Sequence, residues 1–200
     1  MAEQQQYNVR QIADFVRRPH ETTKTVVDRI RSWADYGLLE PVGEKHPGTG
    51  KKRRYGPATI IDAAVLTALT DAGLAAVRVG HFQGADGQTV IGFGRMGAAE
   101  VYKPENANKK IYLVIAGSPA ASVHLNTYIA IAGPEAQPDL DLSKPTPFPA
   151  RTTEHVTVPP YASWSVVLNL NEIFRSFKDV LTATLEGGFI KIEMISSAKD

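Results

Sequence analysis

The chain of 200 residues is 43% hydrophobic and 22% charged, an ordinary globular composition with room for one or two domains. It contains no cysteine, which excludes disulfides, thiolate catalysis and cysteine-ligated zinc. The 11 Lys/Arg against 7 Asp/Glu in residues 1–60, and 11 against 14 in residues 61–200, place a modest basic excess at the N-terminal end and suggest an anionic partner there.

No apolar run approaches a membrane span, and the first residues lack the basic-then-apolar pattern of a secretory signal, so a cytoplasmic protein with no membrane partner is expected. Val9, Ile12, Ala13 and Val16 fall at i, i+3, i+4 and i+7 and predict a short first helix, which Pro19 keeps from running on. Val26, Ile30, Trp33 and Ala34 mark a second helix that starts around Thr22 and Thr23 and stops at Gly37. Residues 41–57 hold Gly43, Gly48 and Gly50, then Lys51-Lys52-Arg53-Arg54-Tyr55, the pattern of a basic β-hairpin wing. Ile61, Ala64, Val65, Ala68, Leu69 and Ala72 predict a third helix ended by Gly73, with Thr59 and Asp62 spaced as a capping box.

Two short helices, a basic hairpin and a third helix make a winged helix-turn-helix over residues 1–76. In that arrangement the second helix, about residues 23–36, enters the major groove. Lys24, Thr25, Asp28 and Ser32 point away from its apolar face and are flanked by Arg29 and Arg31, residue types suited to base edges and phosphates. The wing, residues 43–57, offers Lys51, Lys52, Arg53, Arg54 and Tyr55 to the phosphate backbone.

These blocks resemble the MerR family of transcription regulators. The matching residues are Tyr7-Asn8-Val9-Arg10-Gln11-Ile12-Ala13, Arg31-Ser32-Trp33-Ala34-Asp35-Tyr36-Gly37-Leu38-Leu39-Glu40-Pro41, Arg53-Arg54-Tyr55, and Val65-Leu66-Thr67-Ala68-Leu69 with Gly73-Leu74. The resemblance covers about residues 7–76. It implies that Arg31 and Arg54 contact phosphate, that Tyr55 braces the wing, and that residues from Thr23 to Arg29 face bases. The chain departs from the family in a longer first turn containing Pro19, in Trp33 where tyrosine is favoured, in an extended wing, and in lacking the long dimerisation helix after the third helix. Residues 75–95 are too glycine-rich for a heptad seam. Homodimerisation is therefore expected through residues 88–195, by an exposed edge strand or by the apolar side of a helix at 172–185 carrying Phe174 and Phe177; the alternative is that both phenylalanines pack inside their own domain.

After a glycine-rich linker at 77–87, the C-terminal domain, residues 88–200, reads as mostly β with one helix, so the expected class is α+β. Gly92, Gly94 and Gly97 form a G-x-G-x-x-G pattern after Thr89-Val90-Ile91. Pro104 follows too soon for a crossover helix, and strand 111–116 ends in Gly117-Ser118 without an acid. The pattern is read as a turn between strands, and no cofactor is expected. Residues 111–115 predict a central strand, 123–131 an alternating one, and 156–158, 163–170 and 189–195 further strands. Asn171 is placed as the cap of a helix bearing Ile173, Phe174, Phe177, Leu181 and Leu185 and ended by Gly187-Gly188. The Pro-rich stretch 133–153 reads as a surface loop, with Asp139 and Asp141 solubilising it.

The histidines at 20, 46, 81, 124 and 155 lack metal-ligand spacing, and no nucleophile–base signature stands out, so no enzyme and no metal are expected. The C-terminal domain could bind a small-molecule effector, recruit a protein or pair subunits. The leading expectation is a sequence-specific, double-stranded-DNA-binding transcription regulator. The alternatives are an architectural or excisionase-like factor, and a protein-interaction module with no DNA role.

Overall fold

Asn8 starts the first helix, α1 (Val9–Val16), with a capping box: its Oδ1 accepts from the Arg10 and Gln11 amides at 2.9 and 3.1 Å, while its own amide donates to Gln11 Oε1 at 2.9 Å. The computed structural model describes residues 6–43, 52–80, 88–117, 126–133, 164–177, 181–186 and 189–194. Thr22 caps α2 (Thr23–Asp35) by accepting from the Thr25 amide at 3.2 Å. Gly37, at φ 76°, lets the chain leave α2 through a Leu38 N–H to Trp33 carbonyl bond of 2.9 Å, a Schellman-type closure.

Helix α3 (Ala58–Asp71) follows Pro57 and has no side-chain cap. The capping box expected from Thr59 and Asp62 is not formed, because both lie inside the helix and are buried. Every residue from Thr59 to Leu69 is buried, so α3 is covered all round and is the central helix of the molecule. α1 and later elements of the chain all pack against it. A short helix, α4 (Ala76–Val79), lies within the stretch read as the start of a linker, and residues 81–87 lie outside the described residues.

The glycine motif corrects the reading most. Gly92, Gly94 and Gly97 do not turn between strands but lie in a 13-residue helix, α5 (Val90–Tyr102), capped by Thr89 Oγ1 at 3.1 Å from the Gly92 amide. Two of these glycines let α5 approach its neighbours. A Cβ on Gly94 would stand 2.6 Å from Val65 Cγ2 of α3, and one on Gly97 would collide with Leu170 Cδ1. α5 is also tied to α3 by a bidentate ion pair, Arg95 Nε and Nη2 to the two Asp62 oxygens at 2.6 and 2.5 Å. Burial raises the Asp62 carboxyl, and the Arg95 guanidinium opposes that rise.

Past a 3₁₀ turn at Pro104–Asn106, strands β1 (Lys110–Gly117), β2 (Asn126–Ala132) and β3 (Trp164–Asn169) form an antiparallel sheet in the order β2-β1-β3. The expected central strand is thus central. Ile111, Leu113 and Ile115 face the helices, paired across the sheet with Ile131, Ile129 and Thr127. Tyr112 and Val114 alternate to the other face with Ala130, Ala132 and Val167.

The helix expected at 172–185 is also corrected. Asn169, not Asn171, caps α6 (Leu170–Phe174), which tightens into a 3₁₀ turn at Arg175–Phe177. Asn171 instead staples α6 to β1, accepting from the Ile111 amide at 2.6 Å and donating to the Lys109 carbonyl at 3.1 Å. Leu181–Glu186 is a strand, β4, paired antiparallel with β5 (Phe189–Met194) on either side of Gly187-Gly188. The Leu-Thr-Ala-Thr-Leu alternation and the Gly-Gly pair favour a hairpin over a helix. Phe174 and Phe177 are buried, and Phe177 meets Phe15 of α1 edge-on at 6.3 Å, so neither offers a pairing surface. The class is α+β, and one buried core runs from Tyr7 to Phe177 through both parts of the chain. The strand expected at 156–158, most of the Pro-rich stretch, Asp139, Asp141 and the histidines other than His20 lie outside the described residues.

Candidate nucleic-acid interface

Three extended segments come together beside α1 and α2. Tyr7 and Tyr55 exchange backbone bonds of 2.8 and 2.9 Å, and the Val42 amide donates to the Arg54 carbonyl at 2.7 Å. The returning arm of the expected wing therefore pairs on one side with the entry to α1 and on the other with the exit from α2. Residues 44–51 of the expected wing, Lys51 among them, lie outside the described residues. Alternation along the arm buries Tyr55 fully and leaves Arg54 exposed. Burial pushes the Tyr55 phenol up, and the Arg53 guanidinium beside it draws the other way.

The arm, the N-terminus of α1 and one face of α2 enclose a cleft of about 860 Å³. α1 contributes Asn8, Val9 and Arg10; α2 contributes Thr23, Lys24, Val27, Asp28, Arg31 and Asp35; the arm contributes Lys52, Arg53 and Tyr55. Five cations therefore face two carboxylates. Arg31 Nη1 reaches Asp28 Oδ1 at 3.4 Å, and Arg53 Nη1 reaches Asp35 Oδ1 at 2.8 Å. Arg10, Lys24 and Lys52 are exposed and form no ion pair among the described residues.

Of the residues singled out in the sequence, Thr23, Lys24, Asp28, Arg31, Lys52, Arg53 and Tyr55 share this cleft. Thr25, Arg29 and Arg54 do not line it. Thr25 is bound to the cap, its Oγ1 2.8 Å from that of Thr22. Arg29 is a clamp: its guanidinium grips both Glu21 oxygens at 2.5 and 3.2 Å, lies 5.4 Å from the centre of the Trp33 ring, and is 18% exposed. Burial alone would raise the Glu21 carboxyl, but the Arg29 hydrogen bond, the Arg18 amide and the Arg29 charge outweigh it and hold it below its ordinary value. The long turn between α1 and α2 is thereby fixed to the middle of α2. Asn8, Arg10 and Asp35 were missed in the sequence; the signal for the first two was the Asn8 cap, which sets where α1 opens.

No group of three or more His, Asp or Glu residues among those described could hold a metal ion. No helix of the described residues is long and apolar enough to cross a membrane. Comparison with family models, curated proteins and solved structures found no match to this chain.

Proposed function

We propose that this chain is a sequence-specific DNA-binding transcription regulator of MerR type, with α2 in the major groove and the 52–55 arm on the phosphate backbone. The observation that carries the reading is the cleft, where a polar helix face and a basic arm meet around exposed Arg10, Lys24 and Lys52, which form no ion pair among the described residues. Exposed cations converging on one concave surface attract a polyanion and release its counterions. The short polar side chains of α2 beside them suit base edges. The resemblance of residues 7–76 to MerR regulators supports the same assignment.

A single winged module contacts one half-site, so a regulator of this kind pairs two copies. With Phe174 and Phe177 committed to the core, the pairing surface proposed is a sheet edge in residues 88–200. The test is selection of bound duplexes from a random DNA pool by the full-length chain. An enriched inverted repeat is the expected result. Retention without sequence preference would favour an architectural or excisionase-like factor, and no retention would favour a protein-interaction module.

A further inference from the structure

We propose that Asp28 and Arg31 together select one G·C base pair, Asp28 accepting from the cytosine amino group and Arg31 donating to guanine rather than, as the family resemblance implies, to phosphate; the proposal rests on the DNA-binding reading above. Lys24, Asp28 and Arg31 follow one line along α2, at i, i+4 and i+7, and all three line the cleft. Among five cations, a carboxylate opposes any approach of phosphate, so Asp28 needs an explanation that attraction to the backbone does not supply. Folding does not explain it either. Asp28 is 55% exposed and Arg31 63%, they touch through one nitrogen at 3.4 Å, and such an exposed i, i+3 pair contributes little. Asp35, by contrast, is accounted for by its 2.8 Å bond to Arg53 of the arm.

An ionised carboxylate only accepts hydrogen bonds. In the major groove the donors are the amino groups of cytosine and adenine, and adenine sets an acceptor, N7, beside its donor. Adenine N6 is flanked by acceptors on both sides, N7 and thymine O4, whereas cytosine N4 has an acceptor on one side only, guanine O6, which a guanidinium can cover. The guanidinium next to it matches guanine O6 and N7 with two parallel donors. In a G·C pair the cytosine amino group and guanine O6 are direct neighbours, hydrogen-bonded to one another. The separation of Asp28 and Arg31 fits two side chains addressing that one pair. The 3.4 Å contact between them engages one Arg31 nitrogen, Nη1.

The test uses the full-length chain and the best duplex from the random pool, with single-base-pair variants of that duplex. The wild type is expected to prefer G·C over A·T at one position by about tenfold. Asp28→Asn, which can both accept from N6 and donate to N7, is expected to shift that position toward A·T. Asp28→Ala is expected to reduce the preference to the part that Arg31 supplies through guanine, and to bind non-specific duplex at least as tightly as the wild type. Both substitutions are at an exposed position, and unchanged melting temperatures would certify the fold. A sequence-specific wild type whose preferences survive unaltered in both variants overturns the assignment to Asp28 alone. A wild type that retains no duplex, or retains all duplexes alike, overturns the DNA-regulator reading and the base selection with it.

Discussion

Arg29 and Lys24 occupy neighbouring turns of the same helix, Lys24 exposed on the face away from its apolar side and Arg29 half-buried at the edge of that side. Their roles differ because of Glu21, eight residues before Arg29, in a turn whose course no helical wheel describes. The Glu21–Arg29 pair is shielded from water, with side chains 12% and 18% exposed, so its contribution exceeds that of an open surface pair. Glu21→Gln is expected to destabilise the protein by about 1 kcal/mol at neutral pH. The sign with pH follows from the lowered carboxyl. The stabilisation is fully present above the unfolded carboxyl value, about 4.3. It is lost as pH falls through the lower folded value. Melting curves of wild type and Glu21→Gln should therefore separate at neutral pH and converge in acid. A gap that stays constant with pH would mean that the ion pair is not what the substitution removes.

At the scale of elements, legibility followed local signals. α1, α2 and the end of α3 carry their own punctuation in Asn8, Thr22, Gly37 and Gly73, and β1 is a continuous apolar run, so each could be read from neighbouring residues. α5 could not. Glycine weakens a helix by about 1 kcal/mol relative to alanine, and three glycines in six residues look like a turn. The reason for two of them lies in other elements, the Val65 side chain of α3 for Gly94 and Leu170 of α6 for Gly97. In residues 170–186 two periods coexist, since Phe174, Phe177, Leu181 and Leu185 match a helix while Leu181–Glu186 alternates as a strand. The glycines of α5 can be separated by experiment. At Gly92 a Cβ would meet the end of the exposed, flexible Gln88 side chain at 2.7 Å. At Gly94 it would meet three atoms of the stiff, buried Val65 at 2.6, 3.2 and 3.4 Å. Gly92→Ala is expected to stabilise by up to about 1 kcal/mol. Gly94→Ala is expected to destabilise by about 1–2 kcal/mol after the same propensity gain. Denaturant midpoints of the two variants should move in opposite directions; a shared upward shift would show that α5 does not press on α3 at Gly94.

At the scale of the whole molecule, α3 links the part that carries the cleft to the part that carries the sheet. α3 is buried along Thr59–Leu69 with α1, α5 and α6 all packed against it, and Asp62–Arg95 and Phe15–Phe177 join the N-terminal and C-terminal parts further. A fragment ending at Gly80 would expose the surface of α3 that α5 and α6 contact. It is expected to melt at a lower temperature and less cooperatively than the full chain, as followed by circular dichroism. An unchanged transition would show that the N-terminal part is self-sufficient. The cleft itself was partly legible: a helix face and a basic run were visible in sequence, whereas the contribution of Arg10 required the Tyr7–Tyr55 pairing, which spans 48 residues, to set α1 beside the arm.

The claim on which the rest depends is that this cleft receives the phosphate backbone of DNA. It is tested most directly by measuring the full-length chain's affinity for a duplex across a salt series, for the wild type and for a variant carrying Arg10→Ala and Lys52→Ala. Both residues are exposed and outside the α2 face that would read bases. The account predicts a linear fall of log affinity with log salt, with a slope about two units shallower in the variant and a loss of affinity common to all sequences. A variant with the wild-type slope, or a wild type with no measurable affinity for DNA at low salt, would contradict it.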